Sequence, residues 1–328
     1  MTERGGNTGT VISASDPGSE GTGSLVPPGV PASAEERDKP ASLWSDAWRD
    51  LRRSPFFWIA SVLILVLLVM TVAPQLFTSV DPNYASLQQA RQRPSDQHAF
   101  GTTALGYDVY ARTVYGARAS ILVGLCSSLL TALIGGAVGL ISGFTGGWLD
   151  AVLSRVGEIF FAIPLLLGGI LFLYVFPNGL DTPFWLQVSK VVLVISVFGW
   201  PSVARLMRSS VLQVKPNDYV TAARALGATP RRLILSHILP NALAPVIVVS
   251  TINLGVFISV EATLSYLNIG LRPPAVSWGI DISAASSIGL VRAAPNMLLF
   301  PSLFLSVTVL AFIMLGDAVR DAIDPKLR

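Results

Sequence analysis

The residue types that usually do chemistry are scarce in this chain and poorly placed for it. The single thiol, Cys126, lies inside an apolar run with no partner for a disulfide or a metal cluster. The two histidines, His98 and His237, are too few and too far apart to argue for a metal site, so no metal is expected. None of the four lysines, Lys39, Lys190, Lys215 and Lys326, follows a glycine, which removes the Gly-Lys-Ser/Thr cradle that would hold the phosphates of a nucleotide. No cofactor is therefore expected on this chain, and any nucleotide energy it uses must be bound by another polypeptide. Facing carboxylates or a nucleophile beside its base are equally absent from the pattern, which argues against an enzyme.

What the pattern does offer is a candidate for recognition by a rigid knob. Tyr219, Ala222, Ala223 and Leu226 fall on one face of a short helix that Asn217 or Asp218 can cap after Pro216 and that Gly227 can close. Thr229 and Pro230 then supply the cap and first-turn proline of a second short helix, which Pro240 is expected to limit. Thr221 shares the first helix, and Arg224, Arg231 and Arg232 surround the small pair Ala222 and Ala223 as polar handles. Two readings fit: a docking element that transmits force, or an amphipathic loop resting on headgroups with its arginines held by anionic lipid.

Glu261 is the other provocative residue, because an ionisable group inside an apolar span is a functional candidate by default. It can pair with a polar neighbour, line a substrate path, or couple protons in an autonomous ion-coupled carrier. Gly135, Gly139, Gly143 and Gly147 recur every four residues, leaving one helix face nearly bare for close packing against another helix of the chain, against a partner chain, or for a hinge. Arg155 and Glu158, three apart, predict a local ion pair.

The elements that must position these residues are membrane spans. Only 13% of the 328 residues are charged and 52% are hydrophobic, with a mean hydropathy of +0.59, too little charge to cover a water-soluble surface. A formal charge of +3 spread around apolar spans forms no basic stripe, so nucleic acid is not an expected partner. Six stretches are long enough for the roughly 30 Å hydrocarbon layer at about 1.5 Å per residue: Phe56 to Phe77, Ala119 to Leu149, Ile159 to Leu180, Leu186 to Ala204, Ala242 to Ile269 and Ala293 to Gly316. Residues 1–42, rich in Gly, Ser, Thr and Pro, read as a disordered cytoplasmic tail. Residues 43–55 read as an interfacial helix, 56–118 as the first span with a long outer loop, and 119–328 as a five-span core holding the inner loop 205–241. Lys and Arg are in excess in the flanks of that loop and of both termini, which places them on the cytoplasmic side. The expected fold is all-α, six transmembrane helices with a cytoplasmic two-helix loop between spans four and five.

The run Tyr219-Val-Thr-Ala-Ala-Arg-Ala-Leu-Gly227 through His237-Ile-Leu-Pro240-Asn241 resembles the EAA coupling loop of bacterial ABC importer permeases, with Thr221 in place of the glutamate. His98-Ala-Phe-Gly-Thr-Thr-Ala-Leu-Gly-Tyr-Asp108, Glu261 through Gly279 and Leu315 through Arg328 are similar to further signatures of the dipeptide/oligopeptide branch. The resemblance covers roughly residues 45–328 and implies the C-type permease subunit of a peptide importer in the bacterial plasma membrane. It also implies a second permease subunit, two ATP-binding subunits that carry ATP and Mg, an extracytoplasmic substrate-binding protein, and a peptide substrate. Thr221, Ala222, Ala223 and Gly227 would occupy the ATPase cleft. Nickel, a glutathione-like peptide or a cell-wall peptide are cargoes the same pattern allows.

Overall fold

A computed structural model describes residues 43–179 and 181–323, with side chains from residue 48 onward. The expected tail, residues 1–42, lies outside the described residues, as do Leu180 and residues 324–328. The described residues form helices α1 (Leu43–Arg53), α2 (Pro55–Val72), α3 (Val109–Thr145), α4 (Gly147–Ala162), α5 (Leu165–Val175), α6 (Phe184–Val214), α7 (Asp218–Ala225), α8 (Pro230–Arg232), α9 (Leu239–Tyr266), α10 (Trp278–Ala285), α11 (Ile288–Ala293) and α12 (Asn296–Ile323). Among them no strand is longer than an isolated bridge.

Five helices are long and apolar enough to cross a membrane alone: α2, α3, α6, the continuous rod Pro230–Tyr266, and α12. The expected third span, Ile159 to Leu180, is not one straight helix. It is divided between α4 and α5, which meet at 81°, so a sixth span exists only if the bent pair counts as one. Pro164 causes the break, because the ring of a proline drives the residue before it out of the helical region. Ile163 is accordingly extended (φ −89°, ψ 117°), and the helical bonding restarts beyond the proline.

The second span also begins earlier than expected. Asp108 caps it, its carboxylate accepting a hydrogen bond from the Ala111 N–H at 2.8 Å, so Arg112 and Arg118 ride on α3 rather than in an outer loop. The fourth span runs on to Val214, well past Ala204.

The seam of the bundle is the contact of α3 with α6. A side-chain carbon on Gly135 would lie 2.7 Å from both the Trp200 carbonyl oxygen and Val203. One on Gly139 would meet Ala204 and Met207, and one on Gly143 would meet Val211. Val203, Met207 and Val211, all fully buried, thus fill the groove that the three glycines leave, one helical turn apart. Gly147 does not belong to this stripe: it starts α4 with nothing near it, and together with Gly146 it turns the chain through positive φ (63° and 68°).

Candidate coupling site and the opposite end of the bundle

At one end of the bundle α7 and α8 form a short hairpin, built locally as its residues dictate. Asn217 holds the N-cap position of α7 without a side-chain bond, its carbonyl accepting from the Val220 and Thr221 amides. The C-terminus closes as a Schellman motif, with the Gly227 N–H donating to the Arg224 carbonyl (3.0 Å) and the Ala228 N–H to the Ala223 carbonyl (3.1 Å). Gly227 has φ +83°, the left-handed conformation that this closure needs and that glycine adopts without strain. Thr229 caps α8, its hydroxyl accepting from the Arg232 N–H.

The second arm of the hairpin departs from expectation. Pro240 does not end it: α8 continues through a π-helical turn, Leu233–Ile238, into α9, giving one rod from Pro230 to Tyr266. A proline inside a helix lacks one N–H and crowds the carbonyl a turn earlier, and a widened turn next to it is one way a helix accommodates this. The loop therefore comprises one free helix and the exposed end of a span.

Its two faces are sharply different. Val220 is fully buried and packs with Leu233, Ile238, Met207 and Val211, with Ala223 and Ala228 half-buried against the same cluster. Tyr219, Thr221, Ala222, Arg224, Leu226, Gly227, Arg231 and Arg232 are exposed. Ala222 and Ala223 thus face opposite ways: Ala223 belongs to the root, and Ala222 shares the free face with Tyr219 and Leu226. At 89% exposure, Leu226 is the most exposed large apolar side chain among the described residues.

The root is anchored by polar contacts that the pattern alone did not reveal. Lys215 Nζ donates to the Phe144 carbonyl at 2.7 Å, a cation on the carboxyl end of α3. Arg208 on α6 grips Asp150 at the start of α4 with both Nε (2.6 Å) and Nη2 (2.7 Å), and Ser142 on α3 donates to the same carboxylate. The only sequence signal was an acid in the first turn of a helix that opens on glycine. Arg155 and Glu158 form the expected local pair at 3.1 Å.

The opposite end is organised around buried charge. Arg112 on α3 donates through Nε to Asp281 Oδ1 on α10 at 2.7 Å and through Nη1 to the Pro82 carbonyl, with both side chains more than nine-tenths buried. Burial pushes the Asp281 carboxyl up, and the Arg112 guanidinium pulls it back toward its charged form. The His98 ring hydrogen-bonds to Asp108 at 2.7 Å, tying the preceding loop to the cap of α3. The loop and α10 border a cavity of about 580 Å³ whose lining includes Arg112 and Asp281. Glu261, fully buried on α9, accepts from Ser120 on α3 (2.7 Å) and Ser265 (2.8 Å), and Ser265 in turn accepts from the Leu271 amide. It faces polar side chains of its own subunit and lines neither this cavity nor the one between α3, α4 and α6. No group of metal-ligating side chains occurs among the described residues.

The chain belongs to the family described as binding-protein-dependent transport system inner membrane component, whose model matches residues 135–328, and it is a permease subunit of an ABC importer. Residues 42–94 match the N-terminal membrane domain of oligopeptide transport permease C. Among its relatives, the oligopeptide transport system permease protein OppC of Bacillus subtilis is 38% identical over 88% of this chain and 92% of that protein. The dipeptide transport system permease protein DppC of the same organism is 36% identical over 88% and 87%. The glutathione transport system permease protein GsiD of Pectobacterium atrosepticum is 33% identical over 87% and 92%. A chain of the MetNI methionine ABC transporter in an inward-facing conformation shares the fold, with a TM-score of 0.52 at 21% identity over 65% of this chain and 96% of that one.

Proposed function

We propose that this permease imports short peptides, driven by ATP that is hydrolysed on two partner subunits gripping the α7–α8 hairpin. In this reading six spans, counting the bent α4–α5 pair as one, leave both termini and the hairpin in the cytoplasm, in line with the excess of Lys and Arg in those flanks. A second permease subunit completes the path, and an extracytoplasmic binding protein delivers the peptide. Tyr219, Thr221, Ala222, Arg224, Leu226, Gly227, Arg231 and Arg232 form the gripped surface, and Ala223 fixes its root. ATP-driven closure of the motor then shifts the permease between inward-open and outward-open states, which requires a stiff contact that both sides bias.

The observation that carries the docking assignment is Leu226, an almost bare leucine at the tip of a helix whose root is rigidly packed. In Leu226→Asp the chain should fold normally, since Leu226 supports nothing within it, while ATPase co-purification and ATP-driven uptake should both collapse. Unchanged co-purification with unchanged uptake would remove the docking assignment. Gly227→Asp is a weaker test, because its positive φ confuses strain with lost contact.

The peptide cargo is supported by the oligopeptide and dipeptide relatives. The glutathione permease relative favours a second reading, in which the cargo is a glutathione-like tripeptide. Ligand screening of the cognate binding protein decides between them.

A further inference from the structure

We infer that Arg205 is a contact for the substrate's C-terminal carboxylate on the permeation path, a role that rests on the peptide-import reading. Between α3, α4 and α6, at the hairpin end of the bundle, lies a cavity of about 470 Å³ whose lining includes Ser142, Ser154, Glu158, Trp200, Arg205 and Arg208. Its charges do not cancel. Arg208 is satisfied by Asp150, and Glu158 by Arg155. Arg205 is exposed, and among the described residues its contact is the face of Phe161, 4.2 Å below the guanidinium, with no carboxylate on it. Stacking on an aromatic ring orients a guanidinium while leaving its N–H fork free for a carboxylate.

The position of this free cation matters as much as its charge. Phe161 is in the last turn of α4, two residues before the 81° break at Ile163 and Pro164. Interrupted backbone at membrane depth is tolerated where it lines a cavity or is buried in protein, and broken helices recur around transport sites for that reason. An ionisable side chain within a span likewise faces the bundle interior or a water-filled cavity rather than lipid. The break itself does not line the cavity, but the aromatic ring that holds the Arg205 guanidinium lies two residues from it, so the unpaired cation sits at the cavity beside the interruption. A peptide presents one group that suits both the charge and the planar fork of Arg205, its terminal carboxylate.

The test uses the full importer, with partner permease, ATPases and binding protein, in liposomes with and without anionic phospholipid. Uptake of a free-acid peptide is compared with that of its C-terminal amide, in wild type, Arg205→Gln and Arg205→Lys. The binding protein discriminates between the two peptides equally in all three, so a change in their uptake ratio isolates the permease. Arg205→Gln should lower uptake of the free acid about tenfold while barely changing the amide, as expected for loss of a charge-assisted hydrogen bond, and Arg205→Lys should recover part of the loss. Equal loss for both peptides, or no loss, overturns the assignment and leaves the import reading intact. So does a defect that appears only with anionic phospholipid, which would make Arg205 a headgroup contact. A wild-type importer that takes up neither peptide overturns the import reading and this contact with it.

Discussion

The α10 end of the bundle and the tip of the hairpin treat charge in opposite ways. At the α10 end, Arg112 and Asp281 neutralise each other out of water, His98 and Asp108 tie a loop to a helix cap, and Glu261 is enclosed by serines. At the hairpin end, Arg224, Arg231 and Arg232 have no carboxylate partner among the described residues, and Leu226 stands in the open. The α10 end spends its polar groups on its own architecture, as does the hairpin's root through Arg208 with Asp150 and Lys215 with the Phe144 carbonyl; the tip withholds them. On the docking proposed above, an interface is recognised less by which residues it holds than by which contacts the chain declines to make with itself, provided the supporting root is rigid.

Substitutions should separate the two ends by stability. Arg112→Ala leaves Asp281 buried and unpaired and should destabilise the protein by about 3–5 kcal/mol, read as a lower thermal midpoint in detergent. Replacing both partners with apolar residues, Arg112→Met with Asp281→Leu, should cost much less than Arg112→Ala alone; an equal or larger loss would break the picture of a self-contained pair. In the seam that supports both ends, Gly139→Val forces a branched side chain against Ala204 and Met207 and should cost about 1–3 kcal/mol. Gly227→Ala, in open space but at positive φ, should cost about 1–2 kcal/mol through backbone strain alone. The smallest effect belongs to Leu226→Ala, within about 0.5 kcal/mol in chemical denaturation, although the motor contact proposed for it should weaken. A large stability loss there would mean that the tip is structural after all.

Composition and hydropathic length determined that this is a multi-pass helical membrane protein, because a span needs only enough consecutive apolar residues to cross a fixed thickness. Local chemistry determined the hairpin's punctuation: Gly227 closes α7 and Thr229 caps α8, through bonds that reach no more than five residues along the chain. Ile163-Pro164 was an equally local signal, but the unbroken hydropathy of the third span concealed it, since hydropathy measures transfer to lipid and is blind to backbone angles. Pro240 misled in the other direction, because a neighbouring π turn absorbed what an isolated proline would have broken.

Only the tertiary structure decided which glycines pack, which of Ala222 and Ala223 faces outward, and what Arg112 and Glu261 hold. Their partners lie 169 and 141 residues away. Periodicity tells which side chains share a helix face but not what that face meets. That depends on how α3, α6, α9 and α10 lie against one another, and packing sets it for the whole chain at once.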